Sequence, residues 1–430
     1  MIFEPEFETM PRGRLGSLQG ERLARLVTYL HERVPFYRRR LGEAGVGPGD
    51  VRSLDDLRRL PFTRKDDLRD TYPFELFAVP MAEVVRVHAS SGTTGKPIVG
   101  GYTPADVDLF ATVNARTLAM AGGEPGMMLH NAYGYGLFTG GLGLHAGGEK
   151  LGMTVVPVSG GMTERQLLLI TDFRPELISC TPSYALTLAQ EFAERGVAPD
   201  EISLRYACIG AEPWTEGMRE EIDARLGIRS TNIYGLTEVI GPGVSNECIE
   251  ARNGSHVNED HFLPEIVDPE SGEPLPEGEE GVLVFTTLTK QAMPVLRYWT
   301  GDITSLDSGP CECGRTLTRM ALIKGRTDDM LIIRGVNVYP TQIETVLNGF
   351  PELSPHYRLV VTREGTLDDL EVEAEVADTA HADDGDLAER VAGLIKSSIG
   401  CTARVTLVQP GQAPRSEGGK LARVTDLREL

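Results

Sequence analysis

Between residues 60 and 240, short apolar runs alternate with segments of helix length, and this alternation constrains the fold most. The apolar runs include MTVVPV, PELISCTPS and LRYACIGAEPW, and the helix-length segments include TPADVDLFATVNARTLAMA, SYALTLAQEFAERG and TEGMREEIDARLG. Glycine or proline turns separate them. Strand, turn and helix in repeated order predict an α/β domain with a largely parallel sheet. Helical spacing at Leu23, Leu26 and Leu30 predicts a helical segment before it.

The pattern changes after residue 240. Residues 262–306 alternate apolar and polar positions between Pro/Gly turns, which indicates a β-rich part at about 245–324. IKGRTDDMLIIRGVNVYP, at 323–340, is typical of a strand, turn, strand linker. The last hundred residues combine helix and strand patterns. We therefore predict a large N-terminal domain, 1–324, and a small, mobile α+β C-terminal domain, 325–430, with the boundary near Gly325.

Composition restricts the function classes. The net charge is −21 over 430 residues, which opposes a sequence-independent grip on nucleic acid or on an anionic membrane. No run approaches the roughly 20 apolar residues of a membrane span. MIFEPEFETMPRGR lacks the pattern of a secretory signal, and six cysteines are too sparse for a disulfide framework. A cytoplasmic globular protein is expected.

The segment VHASSGTTGKPIVGGYT, at 87–103, concentrates hydroxyls, glycines and one lysine in a single turn. Glycines let backbone N–H groups approach an anion, hydroxyls donate to it, and Lys96 adds charge. It is not a Walker A loop, because Gly92 and Gly95 are three residues apart and Pro97 follows Lys96. A hydrophilic surface turn is the alternative interpretation.

Four other segments carry polar residues in a fixed order. These are IYGLTEVIGPGV at 233–244, RYWTGD at 297–302, GRTDD at 325–329 and PRSEGGK at 414–420. Each alone could be a turn or a solvated surface. Together with SSGTTGKP, NAYGYGLFTGG, IGAEPW, EDHFLPEIVDP, LVFTTLTK and DDMLIIRGVNV, they resemble the phenylacetate–CoA ligase family of the adenylate-forming superfamily. The resemblance runs from about residue 20 to the end.

The resemblance implies a two-step reaction. A small aromatic carboxylic acid attacks the α-phosphate of ATP to form an acyl-adenylate, and the acyl group then passes to coenzyme A. ATP, Mg²⁺ and coenzyme A are the implied cofactors, and a homodimer is the implied assembly. The protein's task is to position the reactants and to neutralise charge.

The resemblance also implies residue roles at the nucleotide. The loop 90–96 would enclose the β- and γ-phosphates, Tyr234 would lie along adenine, and Asp302 would accept from the ribose hydroxyls. Thr237 would contact the α-phosphate, and Glu238 would hold Mg²⁺. The implied nucleotide-binding residues are Ser90, Ser91, Gly92, Thr93, Thr94, Gly95, Gly210, Ala211, Glu212, Pro213, Tyr234, Gly235, Asp302 and Arg326.

Catalysis is implied for Lys420, Thr237, Glu238 and Lys96. Lys420 would bridge the carboxylate and the α-phosphate during adenylation. Asp328 matches the hinge about which the C-terminal domain would rotate between the two half-reactions.

The acid pocket is implied to involve the segment NAYGYGLFTGGLGLHAGGE, with seven glycines between 134 and 148. A tightly packed glycine-rich helix is the structural alternative. The implied pocket residues are Tyr133, Tyr135, Phe138, Gly210, Ala211, Ile240 and Gly241. Trp299, Ala146 and the extra Gly418–Gly419 depart from the family pattern, so a hydroxy- or amino-substituted benzoate or cinnamate is an alternative to phenylacetate.

Cys311 and Cys313 form a C-x-C knuckle, and Cys248 and His256 lie upstream. Three thiolates and one imidazole are a common tetrahedral zinc set, so we predict a structural zinc beside the β-rich part. Ordinary reduced thiols with a surface His256 are the alternative. Cys180, Cys208 and Cys401 lie in apolar contexts and are expected in the core.

Two further functions remain open on the sequence. An adenylating enzyme could pass the acyl group to a carrier-protein thiol or an amine instead of coenzyme A. A catalytically silent nucleotide-binding protein is a second possibility, against which Lys96, Glu238, Asp302 and Lys420 all argue.

Overall fold

The computed structural model describes residues 1–90, 97–327, 331–334, 336–364, 367–415, 421 and 423–428. The chain divides into two compact units. The first contains Met1–Cys180, Ser203–Ala211 and Ile228–Leu322, and the second contains Thr181–Ile202, Glu212–Gly227 and Ile323–Leu430. The domain limits predicted from the sequence, 1–324 and 325–430, stay a prediction, and so does the movement of the smaller domain.

Helix α5 shows how local sequence starts a helix. Thr103 accepts from the backbone N–H of Asp106, Asp106 accepts from that of Thr103, and Pro104 opens the helix that follows. The α-helices are α1 (Pro5–Glu8), α2 (Arg12–Arg33), α3 (Pro35–Glu43), α4 (Lys65–Asp70), α5 (Pro104–Met120), α6 (Gly140–Leu151), α7 (Thr163–Phe173), α8 (Pro182–Glu194), α9 (Glu216–Leu226), α10 (Pro340–Leu347) and α11 (Gly385–Ile399).

Strands occupy the short apolar runs and the region after residue 240. They are β1 (Arg86–Ala89), β2 (Val99–Tyr102), β3 (Met128–Asn131), β4 (Thr154–Val156), β5 (Leu177–Cys180), β6 (Tyr206–Gly210), β7 (Arg229–Leu236), β8 (Gly241–Glu247), β9 (Ser255–Val257), β10 (Phe262–Val267), β11 (Gly281–Thr287), β12 (Tyr298–Thr304), β13 (Leu306–Asp307), β14 (Arg319–Met320), β15 (Gly325–Arg326), β16 (Leu331–Ile333), β17 (Val336–Val338), β18 (Leu353–Glu364), β19 (Leu367–Val376), β20 (Ala403–Val408) and β21 (Val424–Asp426).

The central sheet of the first unit has the order β13-β14-β9-β8-β7-β6-β5-β3-β4. Its strands are parallel from β4 through β7, as the alternation of strands and helices predicts. From β7 onward the pairings are antiparallel, because a tight turn at 237–240 returns the chain directly as β8. The carboxyl end of β7 therefore leads straight into the Thr237–Glu238 turn.

The β-rich part contains three antiparallel strands, β10, β11 and β12. Strand β11 lies between the other two, and all seven of its residues are buried. Strands β1 and β2 form a separate antiparallel pair with Ala89 opposite Val99. That pair brings together the two ends of the segment 90–98.

Glycines let helices α5 and α6 approach each other closely. A Cβ atom at Gly143 would lie 2.3 Å from the Phe110 ring, and one at Gly147 would lie 2.4 Å from Asn114 Cβ. The glycine-rich segment therefore contains a tightly packed helix, α6. Side chains from α5, α6 and the parallel strands form a hydrophobic core of the first unit, which includes Leu118, Leu129, Leu144 and Leu177.

The second unit has its own α+β core. Its sheet order is β20-β19-β18-β21, with β18 and β19 antiparallel and the outer strands parallel to their neighbours. Ile343 of α10 and Val391 and Ile395 of α11 are buried with Leu359 and Val372 of the sheet. The α/β fold class with a smaller α+β C-terminal part is thus confirmed. Within the described residues, no helix is long and apolar enough to cross a membrane.

Candidate active site

Ser90 closes the base of the predicted phosphate loop. Its backbone N–H donates to the carbonyl of Ile98 at 2.9 Å, and its hydroxyl accepts from the N–H of Ile98 at 3.0 Å. The two strand ends are thereby held together. The other loop residues, Ser91, Gly92, Thr93, Thr94, Gly95 and Lys96, lie outside the described residues. Their contacts with phosphate remain a prediction.

Gly210 and Ala211 form a tight bend at the carboxyl end of β6. A Cβ at Gly210 would lie 2.1 Å from the carbonyl oxygen of Ile233, so no side chain fits there. Ala211 has φ of 70°, in the left-handed region. The Tyr133 hydroxyl donates to the carbonyl of Gly210 at 3.1 Å. A predicted nucleotide-wall residue and a predicted acid-pocket residue are therefore neighbours.

Tyr234 and Asp302 are in direct contact. The phenol of Tyr234 donates to Oδ2 of Asp302 at 2.5 Å, across 68 residues of sequence. The backbone N–H of Asp302 donates to the Thr300 hydroxyl at 3.0 Å, which fixes the backbone from which the Asp302 side chain extends.

Gly235 follows Tyr234 on β7, and a Cβ at Gly235 would lie 1.9 Å from the carbonyl oxygen of Gly241. The β7–β8 crossing therefore requires glycine at position 235.

Thr237 and Glu238 lie in the turn between β7 and β8, where both are largely buried. The Tyr298 hydroxyl donates to Oε1 of Glu238 at 3.2 Å. A Cβ at Gly100 would lie 3.0 Å from the carbonyl oxygen of Thr237. Strand β2, which leads out of the loop 91–96, thus packs directly on this turn.

Two of the predicted acid-pocket residues, Tyr133 and Tyr135, contact Asn131 at the end of β3. Asn131 Nδ2 donates to the Tyr135 hydroxyl at 2.7 Å, and Asn131 Oδ1 accepts from the Ser179 hydroxyl at 2.9 Å. His145 Nδ1 lies 3.2 Å from the Tyr135 hydroxyl. Burial raises the pKa of Tyr135 to about 12, so the phenol stays neutral. Its hydroxyl is an uncharged polar group held by Asn131 and His145.

Ile240 and Gly241 stand close to the same region. The Tyr102 hydroxyl donates to the carbonyl of Ile240 at 2.7 Å, and the Ile240 side chain is fully buried. Gly241 has φ of 101°, and a Cβ there would lie 2.6 Å from Thr139 Cβ and 3.1 Å from the Phe110 ring. Phe138, at the start of the same segment, is half-buried.

The cysteine and histidine residues predicted to bind zinc converge. One potential ligand atom from each of Cys248, His256, Cys311 and Cys313 lies within 4.8 Å of all the others. Cys248 Sγ is 3.6 Å from Cys311 Sγ, and Cys313 Sγ is 3.4 Å from His256 Nε2. His256 is buried, so the alternative of a surface imidazole is wrong.

The electrostatics of this cluster favour a thiolate. A hydrogen bond from the Cys248 thiol, with further contributions from His256, lowers the pKa of Cys313 well below its usual range and raises that of Cys248. His256 Nδ1 lies 3.2 Å from the carbonyl oxygen of Leu317, which fixes the ring and leaves Nε2 toward the thiols. The remaining cysteines, Cys180, Cys208 and Cys401, are buried.

Glu212 belongs to the second unit, where it makes two strong contacts. Its Oε2 accepts from the Ser183 hydroxyl at 2.6 Å, and its Oε1 accepts from the backbone N–H of Leu421 at 2.7 Å. Burial raises the pKa of Glu212, and these hydrogen bonds oppose the rise. Pro213 beside it is exposed. Leu421 directly follows Lys420 in the chain.

Other predicted residues of the second unit are only partly described. Arg326 lies on β15, and Tyr339 crowds the adjacent Gly325, where a Cβ would lie 2.3 Å from the ring. Asp328, the predicted hinge, and Lys420, the predicted catalytic lysine, lie outside the described residues, as do Gly418 and Gly419.

Two departures from the family pattern have defined surroundings. Trp299 packs edge-on against Phe62 at 5.2 Å, and the guanidinium of Arg64 lies 4.3 Å from the Trp299 ring. Ala146 lies on α6 and is half-buried. Trp299 is therefore stacked at the edge of the β-rich part.

Sequence reasoning missed several polar residues of this region. Tyr298 donates to Glu238, and Asn131 orients Tyr135, although both lie inside motifs that the sequence had singled out. Lys290 is 2% exposed and lies in the motif LVFTTLTK. A lysine that ends a strand-like apolar run was the available signal for it.

Two family models match the chain. Residues 139–292 match the AMP-binding enzyme family, and residues 335–428 match the AMP-binding enzyme C-terminal domain. The first match covers helix α6, the Tyr234–Glu238 segment and Lys290.

Curated relatives match over the whole length. The phenylacetate-coenzyme A ligase of Thermus thermophilus is 66% identical over 100% of both chains, and that of Escherichia coli K12 is 53% identical over 98% of this chain and 97% of its own. A crystal structure of 2-hydroxyisobutyryl-CoA ligase in the postadenylation state is similar, with a TM-score of 0.92 and 30% identity, covering 99% of this chain and 92% of that one.

Proposed function

The chain belongs to the phenylacetate–coenzyme A ligase family of AMP-binding enzymes, and from that premise we propose that it activates a phenylacetate-like aromatic acid with ATP and transfers the acyl group to coenzyme A. One structural observation carries the proposal. Tyr234 and Asp302 are hydrogen-bonded at the end of β7, and Thr237 and Glu238 follow in the adjoining turn. A nucleotide's base, ribose and phosphates need contacts arranged in that order.

The reaction has two balanced steps. A carboxylate oxygen attacks the α-phosphorus of ATP, and pyrophosphate leaves with the electron pair of the broken P–O bond. The coenzyme A thiolate then attacks the acyl carbon, and AMP leaves. Both steps gain from positioning and from fixed charges, because the protein forms no covalent intermediate.

The chain's own residues divide this work. The Asp302 carboxylate has paired acceptor oxygens for the two ribose hydroxyls, and the Tyr234 phenol orients it through their 2.5 Å hydrogen bond. The Thr237 hydroxyl is proposed to donate to the α-phosphate. Lys420 is proposed to neutralise charge between the carboxylate and the phosphate, and Lys96 does so at the β- and γ-phosphates.

Glu238 suits the proposed magnesium ion. Its carboxylate is a hard oxygen ligand, and Tyr298 occupies only one of its oxygens with a hydrogen bond. Magnesium bound there would neutralise phosphate charge during the first step. Glu238 and the phosphates would supply the ligands, with water completing the shell.

The aromatic acid is proposed to lie against Tyr133, Tyr135 and Phe138. Tyr135 stays neutral, and Gly210 and Gly241 are closely packed, since an added Cβ would lie 2.1 Å from the Ile233 carbonyl oxygen and 2.6 Å from Thr139 Cβ. An aryl ring suits such surroundings better than a long fatty chain, which needs an extended channel. Hydroxy- or amino-substituted benzoates and cinnamates remain the alternative substrates.

We also propose a structural zinc ion at Cys248, His256, Cys311 and Cys313. Thiolates bound to zinc at ~2.3 Å in a tetrahedron lie about 3.8 Å apart. The separations of 3.6 Å and 3.4 Å between ligand atoms agree with that geometry. Zinc here would join the strand ends near β8 and β9 to the loop before β14. It takes no part in the reaction.

One experiment tests the function. ATP–pyrophosphate exchange is measured with phenylacetate, substituted benzoates, cinnamates and a medium-chain fatty acid. The products formed with and without coenzyme A are then identified by mass spectrometry. We expect exchange to be strongest with phenylacetate-like acids and acyl-CoA to form only with coenzyme A. Exchange with fatty acids alone would contradict the acid assignment. Exchange without acyl-CoA formation would favour a carrier-protein or amine acceptor.

The proposed homodimer has its own measurement. Light scattering coupled to size-exclusion chromatography gives the mass in solution. We expect twice the chain mass of 46.8 kDa.

A further inference from the structure

Lys290 is a buried amine with unused hydrogen-bonding capacity. Its side chain is 2% exposed, and within the described part of the chain its Nζ has no hydrogen-bond partner. A buried charged group without a hydrogen bond is costly, and most such lysines are paired. The burial of an ammonium group at position 290 therefore needs an explanation.

The backbone around Lys290 is rigidly held. Asp106 accepts hydrogen bonds from the N–H groups of Gln291 at 2.7 Å and Ala292 at 2.8 Å. The Tyr29 hydroxyl donates to the carbonyl of Gln291 at 3.0 Å. Asp106 also accepts from the Thr103 N–H at 2.9 Å, so both of its carboxylate oxygens accept backbone hydrogen bonds. Asp106 thus fixes the segment that carries Lys290 without binding its ammonium group.

The Lys290 side chain lies against the strand that leaves the predicted phosphate loop. Its Nζ is 4.9 Å from the ring centre of Tyr102, which ends β2. On the same strand, a Cβ at Gly100 would lie 3.0 Å from the Thr237 carbonyl oxygen. Strand β2 therefore connects Lys290 with the Thr237–Glu238 turn.

Within the described residues, no direct hydrogen bond compensates the charge of the Lys290 ammonium group. Burial lowers the pKa of Lys290 to about 8, and the more distant charges of Asp106 and Glu238 oppose that change. The ammonium form still predominates at neutral pH. The His88 ring also lies 5.2 Å from the Tyr102 ring, and an imidazole supplies no negative charge to the ammonium group.

We propose that Lys290 is a phosphate-binding residue of the active site, whose ammonium group provides positive charge for the β- and γ-phosphates of ATP and for released pyrophosphate. The proposal rests on the proposed function, because it assumes that the Thr237–Glu238 turn holds the nucleotide. The observation that points to the polyphosphate is the placement of Lys290 against β2, which leaves the predicted phosphate loop and packs on the Thr237–Glu238 turn. Charge-assisted hydrogen bonds to phosphate would then satisfy the ammonium donors.

Binding measurements test this role without requiring turnover. Calorimetry compares magnesium pyrophosphate, MgATP and AMP as ligands of the wild type, Lys290→Met and Lys290→Arg. We expect Lys290→Met to weaken pyrophosphate and ATP binding by about ten-fold or more, with AMP binding nearly unchanged. Lys290→Arg retains the charge and should recover most of the affinity. Lys150→Met, which removes an exposed lysine paired with Asp108, is the matched control.

The outcomes separate the alternatives. Unchanged pyrophosphate binding in Lys290→Met, or an equal loss for AMP, would overturn the proposal. A raised KM for the acid with unchanged ATP affinity would assign the ammonium to the carboxylate instead, and would also overturn it. If Lys290→Met does not fold, Lys290→Gln gives the same comparison. Failure of the proposed function would appear separately, as a wild type without ATP–pyrophosphate exchange.

Discussion

The backbone N–H of Leu421 donates a 2.7 Å hydrogen bond to Oε1 of Glu212, although 209 residues separate them in sequence. The Ser183 hydroxyl holds the other carboxylate oxygen at 2.6 Å. Because Leu421 directly follows Lys420, Glu212 fixes the backbone next to the proposed catalytic lysine. We therefore expect Glu212 to act as a positioning residue for Lys420.

Glu212→Ala should slow acyl-adenylate formation. Losing a hydrogen bond to a charged group costs roughly 1.5–3 kcal/mol, or about 10- to 150-fold in rate. ATP–pyrophosphate exchange should show this in kcat, with the KM for ATP little changed. Glu212→Gln keeps an acceptor and should lose less, and the exposed Glu216→Ala is the control. A KM effect as large as the kcat effect would show that Glu212 acts on the nucleotide instead.

Lys420→Ala should separate the two half-reactions. Adenylation loses the positive charge between carboxylate and α-phosphate, so ATP–pyrophosphate exchange is expected to vanish. Thioester formation from a supplied acyl-adenylate should continue, since AMP is already attached as the leaving group. Rapid quench with synthetic adenylate measures the second step. Equal loss of both steps would count against rotation of the C-terminal domain.

Asp302→Asn should weaken ATP binding more than Tyr234→Phe does. The first change removes the charged acceptor for ribose, and the second removes only the phenol that orients it at 2.5 Å. We expect about ten-fold or more in the KM for ATP for Asp302→Asn and a smaller rise for Tyr234→Phe. Initial rates at varied ATP measure both. Tyr206→Phe, on β6 next to the strand that carries Tyr234, is the control. A larger effect of Tyr234→Phe than of Asp302→Asn would contradict the assignment of Asp302 to the ribose.

Cys313→Ser should release zinc and destabilise the first unit. A structural zinc contributes folding free energy directly, so the Tm should fall by about 5 °C or more, and metal analysis should show zinc in the wild type only. Cys401→Ser changes a buried cysteine of the second unit and should retain the metal. A wild type purified without zinc, and insensitive to a strong chelator, would remove the proposal.

Stability should fall as pH decreases from about 6.5 to 4. Burial lowers the pKa of His261 to about 4, with Asp260 opposing and Arg116 and Arg22 assisting. In this window the unfolded chain binds a proton that the folded chain does not, so the free energy of unfolding decreases as pH falls, by up to about 3 kcal/mol.

His261→Asn should reduce that pH dependence. Thermal melts from pH 7 to 4 compare it with the wild type and with His381→Asn, which changes a more exposed histidine. We expect a flatter decline only for His261→Asn. Parallel curves for all three proteins would show that other groups govern acid stability.

Local sequence patterns predicted most of the elements. The apolar runs that form the parallel strands and the helix-length segments that form α5, α8 and α9 all depend on residues close in sequence. The central sheet was less predictable from β8 onward. There, antiparallel pairing follows from a four-residue turn, whose geometry depends on Gly235 and Gly241 packing against each other.

The residues of the candidate site likewise divide into those that local sequence identified and those that only the folded structure brought together. Motifs with characteristic residues, such as Tyr234, Glu238 and Asp302, could be recognised one by one, and the cysteine spacing suggested a metal site. The contact of Tyr298 with Glu238 and the burial of the Lys290 ammonium group against Tyr102 could not be recognised, because they depend on which side chains surround a residue after folding.

The sequence by itself determined the order of strands and helices, the family of motifs and the set of thiol and imidazole groups, because each is written in residues a few positions apart. Only the tertiary structure decided that Glu212 meets Leu421, that His256 is buried among three thiols, and that Lys290 lies unpaired against Tyr102 within the described residues. These are packing outcomes between distant segments, and hydrogen-bond partners and desolvation are set by packing rather than by sequence order.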